Sequence, residues 1–250
     1  MNFIDNDSVF LGIKRFLPIF PPVILFGLIF GFTGGLANLP LVMVSSMSFI
    51  IFAGSAQFIV LLLIIANEPL AGVILAGIFI NVRHILYGAA LHNDISARRM
   101  KKVILAYLLT DEAYIVTTLV KKDLQSNPEL NTKNIKLDDV LLGAGLSLWL
   151  TWNITTIIGY LLTDNLKNIL DLSPDFVVAT AFLGYLIAHW KAETEEHVFI
   201  ILMIIASFVL SFIFQSSNLL IITLVLGMLI AIGSNYIDKL QKKRKFSSAT

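Results

Sequence analysis

Cysteine is absent from this chain, and charge is scarce: Asp, Glu, Lys and Arg make up 14% of 250 residues, against roughly 25% in soluble domains. The missing cysteine excludes disulfides, thiol nucleophiles and thiolate-bound metals together. The shortage of charge, set beside 57% hydrophobic residues, excludes an ordinary soluble domain and points to the lipid bilayer. A net charge of +1 offers no polyelectrolyte partner, so nucleic-acid binding has no support. Phosphate loops, dinucleotide glycine patterns and nucleophile elbows are also missing. No cofactor and no enzymatic activity are expected.

Long apolar runs are what the chain does have. A helix needs about 20 apolar residues to cross the hydrocarbon core. Eight runs qualify or nearly so: 17–36, 41–65, 70–91, 103–120, 140–162, 176–190, 198–214 and 219–237. Backbone groups in lipid must pair internally, so the runs are read as helices; the ten-residue alternation of a membrane barrel is absent. The expected fold is all-α: one integral membrane domain over 1–250, a polytopic bundle of seven or eight transmembrane helices, some broken. The opening "MNFIDNDSVFLGIKRF" is mixed in charge and lacks a cleavage site, so the first run is read as a retained span.

Basic loop residues orient such a chain, the richer side being cytoplasmic. Eight spans put Lys14, Arg15, Lys121, Lys122, Lys133, Lys136, Lys191 and the tail "DKLQKKRK" on one side. Both termini are then cytoplasmic in a multi-pass cell-membrane protein. "ARRMKK" (97–102) falls on the other side with Lys167 and opposes this. A re-entrant segment, or one wrongly assigned span, would ease the conflict.

Three polar clusters interrupt the apolar runs. An ionisable side chain at mid-bilayer costs about 2.5–3.5 kcal/mol on translocon scales, so such groups usually face a cavity or a partner. In "INVRHILYGAALH" (80–92), helical spacing puts Gly77, Asn81, His84 and Gly88 on one stripe and Arg83 with Tyr87 on a neighbouring one. In "LLTDEAY" (108–114), a regular helix places Asp111 on a hydroxyl-bearing face with Tyr107, Thr110, Tyr114, Thr117 and Thr118. Glu112 points away and needs another partner. In "FAGSAQF" (52–58), Gly54, Ser55 and Ala56 weaken a helix near the midplane and Gln57 adds a donor and an acceptor. Broken helices at that depth are where transporters bind substrates. The bland alternatives are a snorkelling Arg83, a structural ion pair for Asp111 and plain small-residue packing. Asn153 in "TWNIT" reads as helix glue, and "GFTGG" (31–35) as a kink in the first run. His189, Glu193 and His197 have metal-like spacing, but a charged, solvated interface is the stronger reading there, so no metal is expected. A weak internal echo links "FAGSAQFIVLLLI" with "FVVATAFLGYLIA".

Together, "FAGSAQF", "NVRHILYGAAL" and "LLTDEAY", in this order and with these gaps, resemble the AzlC family of branched-chain amino acid permeases. The resemblance runs from about residue 16 to 237. It implies a secondary exporter of branched-chain and related apolar amino acids, working with a small AzlD-type membrane subunit. It carries over Gly54, Ser55, Gln57, Asn81, Arg83, His84, Tyr87, Gly88, Thr110, Asp111 and Glu112 as motif positions. Substrate binding is expected at Gly54, Ser55, Gln57, Asn81, Arg83, Tyr87 and Asp111. Proton coupling is expected at His84, Asp111 and Glu112. Asp111 would take the substrate ammonium, and Arg83 or the amides near Gly54 its carboxylate. Phe52 and Phe58 would hold the branched side chain. A passive channel or a non-transporting scaffold subunit is the alternative.

Overall fold

The computed structural model describes residues 4–126, 135–170, 172–188, 205–206, 209–210 and 212. Among the described residues the chain is all helix, without strands. Helix α1 (Asn6–Phe16) passes through a 3-10 turn (Leu17–Ile19) into α2 (Phe20–Leu36). Asp5 caps α1, its carboxylate accepting the Ser8 amide at 3.1 Å. That hydroxyl-assisted cap holds the Asp5 carboxyl below its ordinary range. The prolines fall in the turn and the first turn of α2, where a missing N–H breaks no helical bond.

The long helix α8 (Leu137–Leu161) lies against α1 and α2. Gly12 faces Val140 and Ala144, Gly27 faces Thr155, Gly31 faces Thr156, and Gly35 faces Thr163. The numbers rise together, so the two long helices run parallel. Their backbones nearly touch: a Cβ on Gly31 would collide with the Thr156 carbonyl, and one on Gly143 with the Val9 carbonyl. Small residues permit this approach, which supplies packing where lipid gives no hydrophobic drive. "GFTGG" therefore seats α2 on α8 and does not kink it. Phe30, fully buried, stacks on Trp152 at 6.2 Å in the same seam.

Between these long helices the chain is broken twice. Helices α3 (Leu41–Ile50) and α4 (Gly54–Ile65) replace the expected span 41–65. Helices α6 (Arg99–Leu108) and α7 (Asp111–Ser126) replace 103–120 and meet at 114°. Helix α5 (Leu70–Leu91) stays continuous, and α9 (Thr163–Leu170) and α10 (Pro174–Ala188) follow α8. Three described helices are long and apolar enough to cross a membrane, or four if the bent pair is one span. The count of seven or eight is not reached in the described residues. The sixth run corresponds to α10 as far as Ala188; its last two residues and nearly all of the seventh and eighth runs lie outside the described residues.

Charge pairs show where the broken helices begin and end. At the end where α1 and α8 start, Lys101 of α6 meets Asp139 of α8 at 2.6 Å. Asp139 also accepts the Asp5 amide at 3.0 Å. Lys121 of α7 reaches Asp94, just past α5, at 2.7 Å, and Asp123 reaches Arg15 at 2.6 Å. The Ser96 amide donates to Asp138 at 2.9 Å. The entry of α6 and the exit of α7 thus share one side, and the pair re-enters instead of crossing. "ARRMKK" joins Lys14, Arg15, Lys121 and Lys122 there, so the charge conflict of the eight-span layout does not arise in this arrangement.

The opposite end is closed by backbone. The Asn38 and Leu39 amides bond Gly35 and Gly34, and those of Asn67 and Glu68 bond Ile64 and Leu63. Asn38 and Asn67 take positive φ, 54° and 55°, the conformation of a Schellman cap. The Tyr160 hydroxyl donates to the Leu39 carbonyl at 2.8 Å. Helix α2 ends at this side and α5, whose far terminus reaches Asp94, starts from it. The α3–α4 pair between them therefore enters and leaves on this side.

The absence of cysteine makes this layout directly measurable. Single cysteines at Met100 and Gln125, both exposed on the charged side, are expected to react with an impermeant maleimide from the same face of a sealed vesicle. A cysteine at Ala66 is expected to react only from the other. Opposite labelling of the first two would restore a full crossing at α6–α7.

Candidate functional site

The two re-entrant pairs meet at their breaks. Leu109 is extended (φ −79°, ψ 92°) and ends α6. Thr110 then opens α7, its carbonyl accepting the Tyr114 amide at 2.9 Å and its hydroxyl the Ala113 amide at 3.4 Å. Asp111 is thus the first residue of a helix, where the free N–H groups and the dipole favour a carboxylate. The regular helix expected through this segment put Asp111 in mid-span; the break moves it to a terminus.

Opposite, Phe52 takes φ 41° while only 3% exposed, and α4 starts at Gly54. The first amides of α4 have no helical acceptor, so a positive helix end faces the same region. The Tyr107 hydroxyl of α6 donates to the Phe49 carbonyl at the end of α3. Its ring lies 5.7 Å from that of Phe52.

Between the breaks stands an ion pair. Arg83 Nη2 lies 2.7 Å from Asp111 Oδ2 and donates to Ser55 Oγ at 2.7 Å. The Tyr87 hydroxyl donates to Asp111 Oδ1 at 2.5 Å, and its ring stacks on Tyr114 with centroids 4.5 Å apart. Ser55, Arg83, Tyr87 and Asp111, from three helices, converge here, through the ion pair that the bland reading of Asp111 also allowed. Both charged side chains are 31% exposed, so the pair is reachable. Glu112 follows Asp111 in the first turn of α7, next to this cluster.

Polar atoms beside the pair are left unmatched. Arg83 Nε, His84 Nε2 and Asn81 Oδ1 are buried without a hydrogen-bond partner. Such atoms usually mark a functional site or a place filled by water or ligand. The His84 ring lies 6.0 Å from that of Tyr87, so His84 adjoins the pair without touching it.

Other expected residues face elsewhere. Gln57 turns away from Arg83 and bonds Ser48 and the Ala53 amide. Gly54 abuts the Trp152 ring. Phe58 packs edge-on against Phe26 and Phe30, in the seam and not beside the ion pair. A Cβ on Gly88 would rest in ordinary contact with Leu109. Thr117 and Thr118 donate to carbonyls of their own helix. Asn153 likewise bonds Trp149 of its own helix, with no bond to another helix among the described residues. No group of three or more His, Asp or Glu that could hold a metal exists among the described residues. His189, Glu193 and His197 lie outside them. Sequence reasoning missed Ser48 and Thr156, whose hydroxyls join Gln57; a serine and a threonine inside apolar runs were the available signal.

The model of the AzlC protein family matches residues 18–166, which include both breaks and the ion pair. The chain belongs to the AzlC protein family. It is similar to the inner membrane protein YgaZ of Escherichia coli strain K12, 26% identical over 151 residues. That match spans 58% of this chain and 58% of the relative's own length. No solved structure matches it. The family and its apolar helices make this a membrane protein. Membership is consistent with a permease-type transporter.

Proposed function

We propose that this chain is the large subunit of a secondary transporter that exports branched-chain and related apolar amino acids by proton antiport. The observation that carries this reading is the Arg83–Asp111 pair, half-open and held where two broken helices meet. A zwitterion presents the two charges that this pair presents, in complementary order. Its carboxylate would displace Asp111 from Arg83, helped by Ser55 and the α4 amides, as bidentate guanidinium contacts allow. Its ammonium would take the freed Asp111. A carboxylate able to hold either a proton or an ammonium couples two opposed fluxes. Glu112 and His84 stand beside it as proton partners, and Asn81 offers a further acceptor.

An apolar wall discriminates weakly, about 1–3 kcal/mol per methylene, so several amino acids of similar size should compete. The charged side, richest in lysine and arginine, is assigned to the cytoplasm, with the N-terminus there. The small AzlD-type membrane subunit is the proposed partner.

The test is transport in proteoliposomes holding the full chain, with and without that subunit. Inside-loaded leucine should move uphill when a proton gradient is imposed, and valine and isoleucine should compete. Downhill movement that ignores the gradient would replace the antiporter with a channel. No movement with the subunit present would leave a scaffold.

A further inference from the structure

A second polar group lies near the ion pair and makes no contact with it. Ser48 of α3, Gln57 of α4 and Thr156 of α8 are all fully buried. Gln57 Nε2 donates to Ser48 Oγ at 2.9 Å, and Ser48 Oγ pairs with Thr156 Oγ1 at 3.0 Å. Gln57 Oε1 accepts the Ala53 amide at 3.2 Å. The chain of bonds therefore runs from the continuous helix α8, through the end of α3, to the residue that caps α4. Buried polar networks of this kind specify one arrangement when every member is satisfied.

What the network holds is the break itself. Phe52 sits in the left-handed region without being glycine, a conformation that persists only where the surroundings impose it. On α4, Gln57 and Ser55 are two residues apart and so point to nearly opposite faces. Gln57 looks toward α3 and α8; Ser55 looks toward Arg83 of α5. Fixing one face of that first turn fixes the other.

We infer that Ser48, Gln57 and Thr156 are positioning residues: they set how closely the first turn of α4, with Ser55 and its free amides, approaches Arg83, and thereby tune recognition of the substrate carboxylate. This rests on the amino-acid reading above. It assigns Gln57 to holding the site instead of contacting substrate. Nothing is asked of the triad at the ammonium or the apolar side chain.

The consequence is a selective loss. Tritiated leucine binding to the purified full-length chain, with its small subunit where that is needed for binding, is competed with unlabelled leucine and with leucinamide, which lacks the carboxylate. Thr156→Val and Ser48→Ala should each weaken leucine about tenfold, the scale of one buried hydrogen bond. Leucinamide affinity should change less than twofold. Thr156→Ser keeps the hydroxyl and should restore leucine. Equal weakening of both ligands, or unchanged leucine binding in variants with wild-type melting temperatures, overturns the triad's role. Wild-type protein that binds neither ligand overturns the amino-acid reading, and the triad's role falls with it.

Discussion

Asp111→Asn should abolish coupled export. Cells loaded with a leucine-containing dipeptide and expressing this variant should release leucine at the background rate, at least tenfold below wild type. Asparagine keeps the size of the side chain and can still accept from the Tyr87 hydroxyl, which lies 2.5 Å from Asp111. It carries no charge, so it holds neither Arg83 at 2.7 Å nor an ammonium with comparable strength, and it cannot carry a proton. Hydrogen bonds to charged groups contribute about 1.5–3 kcal/mol against about 1 for neutral ones. The variant should still reach the membrane, because both charges are partly exposed and Arg83 keeps Ser55 as acceptor. Asp111→Glu, which retains charge and proton, should recover part of the activity. Wild-type export by Asp111→Asn would sink the role given to this carboxylate.

That role was partly legible in the amino-acid string. Charge within an apolar run is expensive, so Arg83 and Asp111 stand out in the string, and the fold brings them together with Ser55 and Tyr87. The breaks were less legible. Gly54, Ser55 and Ala56 announced the first within a few residues, yet the strained position is Phe52, which no propensity would nominate. Leu109 and Thr110, at the second break, are neither glycine nor proline, so nothing local forecasts a 114° bend. Hydropathy sums over a window of about 20 residues and does not register a reversal inside it. The real signal was indirect: "ARRMKK" stood on the wrong side for a crossing helix. Orientation of Gln57 was beyond reach, because faces read for a regular helix fail wherever the helix restarts.

The largest expected loss of stability comes from Lys101→Met. Asp139 is 0% exposed and Lys101 8%, and their atoms approach to 2.6 Å. Removing the ammonium leaves a buried carboxylate with only the Asp5 amide, at a cost of about 3–5 kcal/mol. The second change Asp139→Asn removes the stranded charge and keeps an oxygen for that amide, so the double variant should regain most of the loss. Arg15→Ala is the contrast. Arg15 and Asp123 are 46% and 38% exposed, and an exposed pair contributes at most about 1 kcal/mol. Thermal melts of purified protein in one detergent check all three. A Lys101→Met protein as stable as Arg15→Ala would show that Asp139 is not isolated from water.

The two faces of this protein are fastened by different materials. One is tied by Lys101–Asp139, Lys121–Asp94 and Arg15–Asp123, the other by backbone caps at Asn38 and Asn67. Ions screen charges, most of all exposed ones, and do little to amide–carbonyl bonds. Salt and acidity therefore act mainly on the face whose ion pairs join separate helices; on the other, the described residues hold one exposed pair within a single helix, Lys167–Asp164. The chain distinguishes the two compartments it separates before any solute has entered it.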